Sequence, residues 1–368
     1  MAQAAKELQW VYQRTPRTAR QLDPMQRASD DPAWPGLAAA TAKLEMADTA
    51  HQAAAARLAD GRVVTWGAQR YGADSSAVQA ELTDVREVRA SYEAFAALRG
   101  DGRVVTWSSE DSVCGDCPTG LTDVRLLAAA RYAFAAVLED GGKVVAWGDP
   151  KQGGEIGPAA AELFDICQIE ATSSAFAARR ADGVILAWGD PAGGGDPGPE
   201  QEVLRSGGFC DIQGSGTAFA ALRDEDGSVV TWGRCDSKPG KDLLRVQSIA
   251  ASSFAFAALR VDGSVVTWGN LRFGAAEPTF EEELQEIAEL AASGGAFAAR
   301  RGDGRVVVWG HVAYGGQQDC SNLTDVRELR ATYGAFAAIQ GDGSVVTWGD
   351  SADGGDSSAV QEQLRDIL

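Results

Sequence analysis

Three short stretches recur in a fixed order along most of the chain, and each has its own pattern of apolar and polar positions. Between Asp84 and Trp107 they read Asp-Val-Arg-Glu-Val-Arg-Ala, Ala-Phe-Ala-Ala-Leu-Arg-Gly and Arg-Val-Val-Thr-Trp. In the first, Val85, Val88 and Ala90 are interleaved with charges, which suits a short half-buried strand; Val326, Leu329 and Ala331 repeat the pattern. The second, Ala94 to Leu98, is apolar throughout and bounded by turn residues, as a fully buried strand would be. The third, Val104 to Trp107, has the β-branched and aromatic composition that strands favour. Asp-Gly separates the second and third stretches at Asp101-Gly102, Asp182-Gly183, Asp226-Gly227, Asp262-Gly263, Asp303-Gly304 and Asp342-Gly343, with Asp140-Gly-Gly as a variant. That dipeptide predicts a hairpin with a type I′ turn, in which both central residues have positive φ.

The third stretch ends in Trp66, Trp107, Trp147, Trp188, Trp232, Trp268, Trp309 and Trp348, at spacings of 41, 40, 41, 44, 36, 41 and 39 residues. A period near 40 predicts a repeat architecture, and an array of interlocked units is one domain however long it runs. A three-stranded meander cannot bury both faces alone, whereas radial stacking can. The prediction is an all-β fold, a β-propeller of seven or eight three- to four-stranded blades, eight by motif count. Val78 to Leu82 and Val360 to Leu364 are candidates for a fourth, outer strand. The small Ala-Phe-Ala-Ala strand is expected at the crowded axis, and the tryptophans are expected as structural anchors between blades. Burying one indole removes roughly 200 Å² from water, an upper estimate on the order of 5 kcal/mol. The segment Leu364 to Leu368 starts a first strand, while Ala53 to Gly67 supplies a second and third with a blurred first. Pairing of these N- and C-terminal halves is expected to close the ring. Residues 1–42 lack the motif, carry four prolines and read as a leader or a segment packed late on the propeller of residues 43–368.

Charge narrows the partners. The formal net charge is −19, which disfavours direct nucleic-acid binding and is compatible with a basic protein partner or simply with solubility. No apolar run of 18 residues is present, so no membrane span is expected, and the first residues lack a secretory pattern. Six cysteines that ignore the repeat do not make a disulfide scaffold; a reducing compartment, cytoplasmic or nuclear, fits best. Cys114-Gly-Asp-Cys117 has redox or metal-ligand spacing, but no second pair accompanies it, and His51 and His311 are distant in sequence. No metal, no cofactor and no catalytic residue are expected, and the chain reads as a monomeric non-enzyme.

At these residues a family resemblance emerges. Val-x-x-Leu-x-Ala, a short turn, Ala-Phe-Ala-Ala-Leu, Asp-Gly-x-Val-Val-Thr-Trp-Gly and a glycine-rich loop resemble the repeat of the regulator of chromosome condensation family over residues 43–368. The short period is especially similar to that of the propeller-type β-lactamase inhibitor built from the same repeat. The resemblance implies a propeller that binds proteins through its loops, or an exchange factor for a small GTPase, or the substrate-recruiting part of a ubiquitin ligase. The family's Gly and His before the second strand are replaced here, for example by Ser91-Tyr-Glu93 and Thr332-Tyr-Gly334, and no photoreceptor tryptophan motif occurs.

Function in such scaffolds sits on loops. The turns before the second strand carry Tyr92, Arg131, Tyr132, Phe254 and Tyr333, and the loops after Trp-Gly carry Tyr71 and Tyr314, with Arg70, Arg272 and Phe273 beside them. Aromatics on one rim suit a partner-binding role, against the alternative that they pack on the adjacent blade. Gly193-Gly-Gly-Asp196 lacks the lysine and helix of a phosphate-binding loop, so turn formation explains it better.

Overall fold

Every copy of the motif folds into its own three-stranded antiparallel sheet. The structure is a computed structural model that describes residues 44–50, 53–58, 60–109, 112–114, 117–240, 243–275 and 284–358. The chain divides into two units at Gly207 and Gly208. The first holds the sheets β1 (Leu44–Ala50), β2 (Ala53–Leu58), β3 (Val63–Gly67); β4 (Val85–Ala90), β5 (Ala94–Arg99), β6 (Val104–Ser108); β7 (Val124–Ala129), β8 (Ala133–Leu138), β9 (Val144–Gly148); and β10 (Ile166–Ala171), β11 (Ala175–Arg180), β12 (Ile185–Gly189). The second holds β13 (Phe209–Gly214), β14 (Ala218–Arg223), β15 (Val229–Gly233); β16 (Val246–Ala251), β17 (Ala255–Arg260), β18 (Val265–Gly269); β19 (Ile287–Ala292), β20 (Ala296–Arg301), β21 (Val306–Gly310); and β22 (Val326–Ala331), β23 (Ala335–Gln340), β24 (Val345–Gly349). No helix is long and apolar enough to cross a membrane among the described residues.

The strand order is first, second, third in every sheet. The Ala-Phe-Ala-Ala strand is therefore the middle one, not the innermost as its small size suggested. Its small residues serve a different need, which is close approach of sheets on both faces. Within the first unit, Ala94, Ala96 and Leu98 of β5 pack against Val124, Leu127, Phe134 and Trp147 of the next sheet. The opposite face of β5, with Phe95 and Ala97, packs on Ala53, Ala55 and Val63 of the sheet before. The second unit repeats this: Ala255, Ala257 and Leu259 meet Ile287, Phe297 and Trp309. It is the first strands, such as β7 and β10 or β19 and β22, that lie against one another.

Each tryptophan except Trp66 is the cross-strand partner of the Phe in the middle strand and stacks on it. Phe95 and Trp107 are in register, with ring centres 5.2 Å apart and planes 12° from parallel. Trp107, Trp147, Trp188, Trp232, Trp268, Trp309 and Trp348 are buried, as expected of anchors. Trp66 faces Ala54 in the register instead and is only half-buried. Indoles also reach the preceding sheet's loop: Trp107 Nε1 donates to Gly72 O at 3.0 Å, Trp188 Nε1 to Gly153 O at 3.0 Å and Trp309 Nε1 to Gly274 O at 2.9 Å. Trp147 Nε1, like that of Trp348, is buried with no acceptor among the described residues.

Three expectations need correction. The Asp-Gly hairpins are not type I′: none of these aspartates has positive φ, and only the glycine does, for example Gly102 at 78°. Gly102 N–H donates to Arg99 O at 3.0 Å and Arg99 N–H to Arg103 O at 2.9 Å, the pattern of a type I turn followed by a left-handed glycine. Asp101 Oδ1 accepts from Arg103 N–H at 3.1 Å, so the carboxylate, rather than a left-handed backbone, shapes the turn. That bond holds the Asp101 carboxyl below its ordinary pKa. Secondly, Val78 to Leu82 is a run of turns, not a fourth strand, although Gln79 Nε2 does bond the outer strand at Val63 O, 3.0 Å away. Thirdly, the first sheet has its own first strand, β1, from the N-terminal side. The proposed C-terminal partner, Leu364 to Leu368, the candidate strand Val360 to Leu364 and the leader of residues 1–42 lie outside the described residues.

Main-chain bonds tie consecutive sheets at their hairpin ends. The glycine carbonyl of one hairpin accepts from the residue that opens the next sheet: Val85 N–H to Gly61 O at 2.8 Å, Val124 to Gly102 at 2.9 Å, Ile287 to Gly263 at 2.8 Å and Val326 to Gly304 at 3.0 Å. A Cβ on Gly102 would lie 3.0 Å from Asp123 N and Cα, whereas Gly120, with a similar φ of 79°, has nothing within 4 Å. Gly120→Ala is thus expected to cost about 1 kcal/mol through backbone strain alone, and Gly102→Ala clearly more. Equal shifts in the urea midpoints of the two variants would refute the docking role of the hairpin. A second comparison isolates the indole bond. Trp188→Phe is expected to destabilise by about 1–3 kcal/mol more than Trp147→Phe, since only the former loses a buried hydrogen bond; matching losses in denaturation would contradict this.

Candidate functional site

The ends of the sheets opposite the hairpins carry both sets of candidate residues. The turn between first and second strands is built by a hydroxyl. Ser91 Oγ accepts from Ala94 N–H at 3.0 Å, and Thr172, Ser215, Ser252, Ser293 and Thr332 repeat the contact with the alanine three residues on. The loop after Trp-Gly is a single 3-10 turn ending in a left-handed glycine, as at Gln69–Tyr71 before Gly72, Leu271–Phe273 before Gly274 and Val312–Tyr314 before Gly315. In the latter two the cap is a side chain: Asn270 accepts from Arg272 N–H at 2.9 Å, and His311 Nδ1 from Ala313 N–H at 3.2 Å, whereas Ala68 before Gln69 offers none. The same hydroxyls reach that loop, with Ser252 Oγ donating to Phe273 O at 2.8 Å and Ser293 Oγ to Tyr314 O at 2.9 Å. The two loops of one sheet are therefore a single bonded unit.

Neighbouring turns are bonded to each other as well. In the first unit Tyr92 N–H donates to Arg131 O at 2.8 Å and Arg131 N–H to Ser173 O at 2.9 Å. In the second, Gly216 N–H donates to Ser253 O at 2.7 Å, Ser253 to Gly294 at 3.0 Å and Gly294 to Tyr333 at 2.6 Å. Because these bonds use the main chain, the side chains at the turn tips are left to face outward or sideways.

The predicted residues gather into two rows, one per unit. In the first unit Tyr71, Tyr92 and Tyr132 meet edge to face, with ring centres 5.7 and 5.6 Å apart, across three consecutive sheets. Arg131 lies over Tyr92 at 4.4 Å and over Tyr132 at 5.3 Å. Burial raises the pKa of the Tyr132 phenol, opposed by the Arg131 charge. In the second unit Phe254 meets Phe273 at 4.8 Å, Phe273 approaches Tyr314 at 6.3 Å, and Tyr314 meets Tyr333 at 5.4 Å. His311 stacks on Phe273 at 6.0 Å. Phe254 is 39% exposed, and Leu271 and Val312 beside it are 60% and 63% exposed. The two readings of these aromatics thus combine: each packs on the adjacent sheet by one edge and is half-buried or exposed by the rest.

Sequence reasoning missed His311, Leu271 and Val312 as members of the second row. The signal was present in the alignment of repeats, where Asn270-Leu-Arg-Phe-Gly274 and His311-Val-Ala-Tyr-Gly315 match position for position. It also missed the turn hydroxyls, which stand four residues before every middle-strand Phe except Phe134, where Ala130 takes the place.

The cysteine pair has no shared site. Cys114 is buried against Ser91 Oγ at 3.0 Å, and burial raises its pKa; Cys117 is only partly buried, and neither forms a disulfide. Cys320 is pushed up to about 11 by burial and the neighbouring Asp319. Below pH 9 it is held as the unreactive thiol. Iodoacetamide at pH 8 is expected to label exposed Cys167 and Cys210 well before Cys320; labelling of Cys320 at the same rate would contradict its burial.

No family model matches the chain, and no curated protein does. Among solved structures, the chain is similar to Prp20p from Saccharomyces cerevisiae at 18% identity, with 83% of this chain and 72% of that one covered and a TM-score of 0.41. Human WBSCR16 gives 15% identity over 70% of this chain and 82% of that one, at 0.44. The CRINKLY WD40 ectodomain of the Arabidopsis thaliana receptor kinase ACR4 gives 16% over 70% and 90%, at 0.41.

Proposed function

We propose that the chain is a noncatalytic interaction scaffold, its sheets the eight blades of a β-propeller, which presents the end opposite the hairpins to a protein partner. The observation that carries this reading is the pair of aromatic rows. Their backbones are fixed by main-chain and hydroxyl bonds, and the tryptophan–phenylalanine stacks already hold the sheets together, so the fold does not need Tyr92, Tyr132, Phe254 or Tyr333 exposed where they stand. Rigid, partly exposed aromatics are the residues that dominate binding energy at interfaces. The resemblance to the propeller-type β-lactamase inhibitor implies the same use of loop aromatics.

Joint replacement of Tyr92, Tyr132, Phe254 and Tyr333 by alanine is expected to abolish partner capture in crosslinking and mass spectrometry, with the melting temperature little changed. Val261, 60% exposed in a hairpin at the opposite end, supplies the control, and Val261→Ser should leave capture intact. Undiminished capture by the fourfold variant, or loss in the control alone, would overturn the assignment of the face. A scaffold that only binds should not accelerate nucleotide release from a panel of small GTPases. Acceleration would favour the exchange-factor reading that the family resemblance implies, and co-purified ligase subunits the recruiting one.

A further inference from the structure

The two rows differ in chemistry. In the second unit the neighbours are exposed Leu271 and Val312, and among the described residues no guanidinium lies over the rings. In the first unit Arg70 lies 4.8 Å over Tyr71, and exposed Arg131 lies over both Tyr92 and Tyr132. Two guanidinium groups therefore rest on one continuous phenolic platform. A guanidinium lying on aromatic rings is held in orientation and keeps edge N–H donors for a planar acceptor, which matches a carboxylate.

Several arginines elsewhere in this acidic chain are answered by its own carboxylates: Arg62 by Asp60 at 2.7 Å, Arg301 by Glu286 at 2.8 Å, Arg305 by Asp303 at 2.6 Å and Arg327 by Asp325 at 2.6 Å. Among the described residues Arg131 has no such ion pair; its guanidinium lies over the two tyrosine rings and hydrogen-bonds the Tyr132 phenol, and its main chain joins the neighbouring turns. Glu93, on the Tyr92 turn, is the carboxylate whose charge reaches the Tyr132 phenol, yet it does not pair with Arg131. Against a chain of net charge −19, these two guanidinium groups are a local concentration of positive charge.

We propose that the Tyr71–Tyr92–Tyr132 platform, with Arg70 and Arg131, docks an acidic peptide segment of a protein partner. Its carboxylates engage the Arg131 guanidinium edge, and its apolar atoms lie on the phenol rings. The inference rests on reading this end of the sheets as a recognition face, and it adds the chemistry of what one row recognises.

Calorimetric titration of the full chain with N-acetylated, C-amidated Glu-Glu-Tyr-Glu-Glu tests it, with the Gln and Lys counterparts as comparisons. Saturable binding is expected for the Glu peptide, at least tenfold tighter than for the Gln peptide. Arg131→Ala should weaken it tenfold or more. Arg131→Lys, which keeps the charge and removes the planar fork, should also weaken it, with an unchanged melting curve showing that the variant is folded. Phe254→Ala, in the other unit, should leave it unaltered. No preference for Glu over Gln, tighter binding of the Lys peptide, or full binding by folded Arg131→Ala would each overturn the proposal. Failure here with partner capture still lost in the fourfold aromatic variant removes this inference alone. Failure of both removes the recognition face as well.

Discussion

Sheets in this chain approach face to face because the middle strand is small on both sides. Ala94, Ala96 and Ala97 are fully or almost fully buried, and a larger residue at any of them would hold neighbouring sheets apart. One large residue per strand is retained, the phenylalanine, and it is matched by the tryptophan opposite it in register. Stacked rings 5.2–5.4 Å apart fill the space the alanines leave. The tryptophan recurs because each interface needs one such filler, and its polar nitrogen then needs an acceptor in the preceding loop. At Trp147 and Trp348 the nitrogen has no acceptor among the described residues.

This packing has a consequence at the two ends of each sheet. Hairpin glycines dock on the main chain of the next sheet, which fixes both the glycine and the residue before the next first strand. Asp84, Asp123, Asp165, Arg245, Glu286 and Asp325 all take positive φ there, a strain that the interface sustains. At the other end the turn backbones bond one another directly. Side chains at those turns are thereby released from structural duty, and this is where the two aromatic rows stand. The scaffold and the proposed recognition surface thus use different atoms of the same turns.

Much of the architecture was legible from the sequence. Periodicity pointed to the three strands, each of the eight tryptophans ends the third strand of a sheet, and the aromatic turn residues pointed to the tyrosines and phenylalanines of the two rows, though not to His311, Leu271 or Val312. What escaped has a common cause, since it depends on contacts between repeats. The position of the Ala-Phe strand in the middle follows from two-sided packing, which a one-dimensional pattern of small residues does not distinguish from crowding at an axis. The hairpin type depended on whether Asp101 would take up a left-handed backbone or bond Arg103 N–H with its side chain, and Asp-Gly permits both. Val78 to Leu82 has an alternation that suits a strand, but its residues turn upon themselves, and only Gln79 completes a bond to the sheet edge. The partition of the rows into a tyrosine–arginine platform and an apolar patch required knowing which repeats are neighbours.

Main-chain coupling of neighbouring turns is the claim on which the recognition surface depends, and amide hydrogen exchange tests it most directly. The amides of Tyr92, Arg131, Ser253 and Gly294 lie in short turns that would exchange freely if only their own hairpins held them. They are expected to be protected to the same degree as amides of the adjoining second strands, and far more than Gly120, which stands clear of the next sheet. Exchange at those four positions as fast as at Gly120 would show that the turns are not coupled, and would contradict the account.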